Sequence, residues 1–240
     1  MLENIPLSKI LFLDIETVPQ YPDYQLMDER MKSLWDKKAS SILKSENDDK
    51  AQITPASVYE KAGIYSEFGK IICISTGYFF DGCFRIKSFY GHDESELLYD
   101  FSVLINSHFN KSDNLLCAHN GKEFDFPFIA RRMLINGIKI PSILNTCGKK
   151  PWEINHLDTM ELWKFGDYKN YTSLELLTAV FNIPTPKDDI DGSQIRKVYY
   201  EDNDLKRIVT YCQKDTLAVA QLFLRYRGEN ILEESNVIYV

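Results

Sequence analysis

The chain has 240 residues, of which 44% are hydrophobic, 13% aromatic and 26% charged, ordinary proportions for one large α/β domain or two small ones. Its formal net charge of −7, from 35 acidic and 28 basic residues, argues against a protein held to nucleic acid by bulk positive charge. The five cysteines (73, 83, 117, 147 and 212) are odd in number and lack CxxC spacing, which argues against a disulfide framework or a structural zinc site.

The start, MLENIPLSKI, has no basic stretch followed by an apolar core and does not read as a secretory signal. No apolar run is long enough to span a bilayer. The expectation is a reduced, cytoplasmic protein with no membrane partner.

The first predicted element is a strand over 9–16. Its apolar run Ile10-Leu11-Phe12-Leu13 is interrupted by Asp14 and Glu16. Residues 20–66 are more polar, with a helical patch over 26–43 and a charged linker, KSENDDKAQITP, over 44–55. We read this stretch as an insertion or flap on a single domain spanning 1–240. KIICISTGYFF (70–80) and CFRIKSFY (83–90) read as strands, and Asp81-Gly82 between them is a hairpin signal. Residues 93–109 begin with acids and repeat apolar residues at helical spacing. NLLCAHN (114–120) reads as a short buried strand running into a polar loop. The next helix has Pro127 in its first turn and Asn136-Gly137 at its end.

Residues 152–165 run from a strand into a helix. Thr172 and Glu175 have capping-box spacing before another helix. A long helix covers 203–227, and the tail NVIYV is apolar with no assigned role. Strands lead and helices dominate later, which suits an α/β sheet with helices on its faces. The basic pairs Arg131-Arg132, Lys149-Lys150, Arg196-Lys197 and Lys206-Arg207 each read as solvated surface charge.

Three features carry the chemistry. Side chains two apart on a strand share a face, so Asp14 and Glu16 aim two carboxylates at one spot, where burial without a partner is costly. On its own a DxE is weak, because acids near strand edges are common. The final helix has an apolar face of Ile208, Cys212, Val219 and Leu222, and Asp215 falls on it with Tyr211 one turn earlier. In HNGKEFDFPF, Asp125 stands two residues before Pro127, at a helix start where a carboxylate is most often just a cap. His119 reads as a packed or hydrogen-bonded histidine. Together, Asp14, Glu16, Asp125 and Asp215 form an oxygen-donor set suited to Mg²⁺ or Mn²⁺ and poor for zinc. Two such ions can hold a phosphodiester, activate a water and stabilise the leaving oxygen.

DIET, HNGKEFD and YCQKD resemble the three motifs of the DEDD superfamily of 3′–5′ exonucleases, and YxxxD spacing resembles its tyrosine subgroup (DEDDy). The wider context from 183 to 226 resembles the predicted exonucleases related to the proofreading domain of family B DNA polymerases. The resemblance runs from Lys9 to about Arg227 and leaves 20–66 poorly covered. It implies a ribonuclease H-like α/β fold, a mixed five-stranded sheet flanked by helices. It also implies two ions held by Asp14, Glu16, Asp125 and Asp215, with Asp14 shared between them. Tyr211 would orient the attacking water, and Asn120 and Phe124 would lie along the terminal nucleotides. The implied substrate is single-stranded nucleic acid, DNA ahead of RNA. An exoribonuclease of the same fold and a non-catalytic nucleic-acid-binding module are the alternatives.

A haloacid dehalogenase-like phosphatase is a further rival, since DIETV approaches DxDx[TV] and Asp188-Asp189 offers a later acidic pair. It would leave HNGKEFD and YCQKD unexplained. Asp158 in HLDTM reads as a helix cap or supporting residue and stays outside the catalytic set. Phe124, Phe126 and Phe128 are candidate stacking rings, most of them expected in the core.

Overall fold

Strand β1 (Ile10–Pro19) runs through the middle of the sheet because nearly every side chain on both of its faces is apolar and buried. It pairs antiparallel with β2 (Gly69–Phe80) and parallel with β4 (Leu115–Ala118). β3 (Cys83–Tyr90), β5 (Leu157–Asp158) and β6 (Val237–Tyr239) complete a mixed sheet of order β5-β4-β1-β2-β3-β6. The computed structural model describes residues 2–45, 54–167, 171–184 and 190–240. Most of the 44–55 linker and the Asp188-Asp189 pair lie outside them.

The period-2 alternation of β1 sorts its side chains between two cores. Leu11, Leu13 and Ile15 pack with α2 (Glu94–His108) and α3 (Asp125–Ile135) on one face. Ile10 and Phe12 pack with Val219, Ala220 and Phe223 of α7 (Leu205–Tyr226) on the other. Asp14 and Glu16 continue the second series, so the strand's periodicity turns both acids toward the α7 face. This is the ribonuclease H-like α/β arrangement of a mixed sheet flanked by helices. The sheet has six strands where five were expected. The sixth is the apolar tail, which pairs parallel with β3, Val240 N–H donating to Ile86 O at 2.9 Å.

Local signals set several boundaries. Asp81 and Gly82 take left-handed φ values of 50° and 74°, the backbone a two-residue hairpin demands. Asn136 and Gly137 (φ 68°) end α3. Helix α4 (Thr159–Lys164) starts from Asp158, and α6 is Ile195–Tyr200. For α5 (Leu174–Val180) the cap is Ser173, which accepts from Leu176 N–H at 3.2 Å. Thr172, the expected cap, lies one residue too early, and its carbonyl is engaged by His119.

Within 20–66, α1 (Glu29–Ser45) and a 3-10 turn at Tyr59–Ile64 share a small core around Trp35. Trp35 sets its ring edge-on to Tyr59 and Phe68, and its Nε1–H donates to Pro55 O at 2.8 Å. Arg132 corrects the reading of Arg131-Arg132 as solvated charge. It is only 5% exposed, and its Nε donates to Glu94 Oε1 at 2.9 Å while Nη2 reaches Oε2. Nη1 donates to Ser66 O, tying this segment to α3.

Candidate metal and phosphodiester site

The parallel register of β1 with β4 ends at Phe12, which opens that edge of β1 just before the acids. Asp125 fills the opening. Its carboxylate accepts the backbone N–H of Ile15 and its own N–H, binding the start of α3 to β1. It is buried and does not cap α3: Phe124 occupies the cap position and makes no side-chain cap bond. The ordinary explanation for an acid at a helix start therefore fails here.

Helix α7 lies across the face to which Asp14 and Glu16 point. Cys212 is fully buried beneath β1, its Sγ donating to Asp14 O at 3.4 Å. That contact fixes the rotation of the helix and turns Tyr211 and Asp215 toward the acids. The Tyr211 hydroxyl hydrogen-bonds the Asp215 carboxylate.

The electrostatics are those of a site with negative charge in excess. Burial pushes the Asp14 and Glu16 carboxyls well above the usual carboxylate range, and the charges of Asp215 and Asp125 push both further in the same direction. Asp125 is raised to about 7, first by burial and then by Asp158 and Asp215, against the pull of its two backbone donors. Tyr211 is held far above an ordinary phenol by burial and by the charges of Asp215, Glu16 and Asp14.

Asp14 is partly open as a residue, yet its Oδ2 is sealed from solvent and has no hydrogen-bond donor. An orphaned carboxylate oxygen among three more acids is what a hard divalent cation would satisfy. Asp14, Glu16 and Cys212 have potential ligand atoms within 4.8 Å of one another. Burial raises the Cys212 thiol and keeps it protonated, so the usable donors are oxygens and the set fits Mg²⁺ or Mn²⁺.

The motif-two loop is held from below. Asp158 is 3% exposed and its carboxylate accepts four backbone N–H groups. Oδ1 takes those of Asn120 (2.9 Å), Met160 (3.0 Å) and Glu161 (3.2 Å), and Oδ2 takes that of Lys122 (3.1 Å). It thus caps α4 and latches residues 120–122 at once. Asn120 sits at φ 62°, and Gly121 is packed so closely that a Cβ there would stand 2.4 Å from that of Ala118. His119 is kept neutral by burial. Its Nε2–H donates to Thr172 O and its Nδ1 accepts from the Thr159 hydroxyl, each at 2.9 Å.

Phe126 and Phe128 are core residues. Phe124 is partly exposed, its ring tilted against Phe128 at 5.3 Å between centroids, and it lines a 750 Å³ cleft with Glu16, Thr17 and Arg196. Tyr171 was not singled out by sequence reasoning, yet its hydroxyl meets the Asn120 side chain. No local pattern signalled it, because the pairing spans 51 positions of separation.

A family model described as a predicted 3′–5′ exonuclease related to the exonuclease domain of PolB matches residues 64–234. The chain belongs to that family. The match contains Asn120, Asp125, Tyr211 and Asp215, while Asp14 and Glu16 lie upstream of it and join the site through β1. Among solved structures, the family B DNA polymerase from the hyperthermophilic archaeon Pyrobaculum calidifontis is similar over 90% of this chain, with 13% identity and a TM-score of 0.50. The chain spans 24% of that polymerase's length. At such identity the similarity speaks to fold alone.

Proposed function

We propose that the protein is a metal-dependent 3′–5′ exonuclease that removes nucleotides from the 3′ end of single-stranded nucleic acid, DNA in preference to RNA. The observation that carries this is the crowding of Asp14, Glu16, Asp125 and Asp215, with the Asp14 Oδ2 buried and orphaned, in a member of an exonuclease family. Relation to a DNA polymerase's exonuclease domain favours DNA. Residues 1–240 form one exonuclease domain in this reading, with 20–66 as a flap against β1. The unpaired cysteines suit a reducing compartment, and we place the protein in the cytoplasm.

Asp14, Glu16, Asp125 and Asp215 would hold two divalent ions, Mg²⁺ or Mn²⁺, with Asp14 shared. When bound, such ions neutralise the phosphate, acidify the attacking water and stabilise the leaving 3′ oxygen. Water attacks the terminal phosphorus, the P–O3′ bond breaks, and a 5′-mononucleotide leaves behind a shortened strand ending in a 3′ hydroxyl. Tyr211 cannot serve as a base, because its hydroxyl titrates far above neutral pH. Its hydrogen bond to Asp215 fixes the hydroxyl where it can orient the water. Asn120 and Phe124, on the loop latched by Asp158, would lie along the terminal nucleotides.

Digestion of matched 5′-labelled DNA and RNA oligonucleotides with Mg²⁺ or Mn²⁺ tests the proposal. The expected result is a ladder shortened from the 3′ end, faster on DNA and abolished by chelation. Cutting of a circular single strand at the linear rate would reject the exonuclease reading.

A further inference from the structure

Tyr171 is 69% exposed, yet it is anchored at both of its ends to the motif-two loop. The Asn120 amide Nδ2–H donates to its hydroxyl, since the other side-chain atom, Oδ1, is buried without a partner. Its chain neighbour Thr172 accepts from His119 Nε2 at 2.9 Å. The bonds to Asn120 and His119 set the ring beside the motif-two loop that carries Asp125, and the charges of Glu123, Asp158 and Asp125 act on its hydroxyl. An exposed aromatic side chain normally keeps its rotamer freedom, and ordering it opposes folding. Here that ordering is already in place and a ring face is left to solvent.

We propose that Tyr171 is a nucleobase platform, on which an unpaired base of the strand entering the site stacks. This deepens the exonuclease reading and rests on it. A π face accepts any base, so the platform selects a single strand without selecting sequence. The base must be free of its partner to reach the ring. The hydroxyl's bond to Asn120 sets where the ring lies.

The bland role for Tyr171 is to brace the loop through its hydroxyl, and two variants separate that from stacking. Binding of a 5′-fluorescein-labelled single-stranded 12-mer is followed by anisotropy, with Ca²⁺ holding the strand uncut. Tyr171→Phe keeps the ring and loses the bond to Asn120, so it should change Kd by no more than about 3-fold. Tyr171→Ala should weaken binding by roughly 5- to 150-fold, the range that 1–3 kcal/mol of base stacking commands. The Tyr171→Ala penalty should shrink when the terminal nucleotides of the 12-mer are abasic, because nothing is left to stack.

Equal losses in Tyr171→Phe and Tyr171→Ala, or the same Tyr171→Ala penalty on abasic and ordinary strands, would overturn the platform. A Tyr171→Ala protein that binds and digests as wild type does would overturn it too, while leaving the exonuclease reading intact. A wild type that neither binds nor digests any strand would instead sink the exonuclease reading, and the platform with it.

Discussion

Two buried groups of charge, both in contact with elements around β1, are built on opposite plans. Glu94 and Arg132 meet in a two-pronged pair, and every remaining direction is taken. Ile71 N–H and Asn136 Nδ2 donate to Glu94, and Ser66 O and Gln20 Oε1 accept from Arg132. Asp14, Glu16, Asp125 and Asp215 face one another with the same sign, and Asp14 Oδ2 has no donor at all. The first arrangement is complete as it stands and serves the fold. Burial and like charge raise Asp14, Glu16 and Asp125 above their ordinary range, a condition that bound cations would relieve. Charge matched inside the fold is architecture, and like charge crowded into one place marks the candidate site.

The most severe way to break the second group is to remove a ligand. Asp14→Ala should lower nuclease turnover about 10⁴-fold, roughly 5 kcal/mol of barrier, while the fold survives because repulsion is relieved. A gel assay against a folded control by circular dichroism checks it. The same operation on the first group should do the reverse. Arg132→Met leaves Glu94 buried and unpaired, which costs about 3–5 kcal/mol of stability, a melting shift of roughly 6–20 °C. Arg132→Met combined with Glu94→Leu should regain most of that loss in a thermal melt.

A smaller effect sharpens the chemistry. Tyr211→Phe should lower turnover by about 10- to 100-fold, roughly 1.4–2.7 kcal/mol, with KM nearly unchanged. Full turnover in Tyr211→Phe would reject a water-orienting hydroxyl. The smallest effect is one of pH. Asp125 has a folded-state pKa of about 7, above its unfolded value, so the folded protein binds more protons than the unfolded chain between the two. Without divalent ions, stability should therefore fall as pH rises from about 4 through 7. Asp125→Asn should flatten that slope in melts across the range.

The residues show which parts of this were legible in the sequence. Asp81-Gly82 predicted its hairpin because a two-residue turn depends only on local backbone chemistry. Asp14 and Glu16 could be set on one face, and Tyr211 beside Asp215, because strand and helix periods fix these relations within a few residues. Asp125 taken by itself was legible only as an acid at a helix start, and it joined the candidate set through the other acids and the HNGKEFD motif. That it meets Ile15 N–H depends on where the β1–β4 register stops. The pairing of Arg132 with Glu94 spans 38 positions, so Arg131-Arg132 looked like any solvated pair. Tail strand β6 joins β3 from some 150 positions away, and nothing local announces it. The Asp158 latch and the Tyr171 contact belong to the same long-range class.

The central claim is that divalent cations complete the acid cluster. Thermal melting of metal-free protein at pH 8, with and without Mn²⁺, tests it most directly when wild type and Asp14→Asn are compared side by side. The account predicts that Mn²⁺ raises the wild-type melting temperature in a concentration-dependent way, and that Asp14→Asn is more stable than wild type without metal but gains much less from it. A wild-type melt that Mn²⁺ leaves unmoved, or an Asp14→Asn protein stabilised as strongly as wild type, would contradict it.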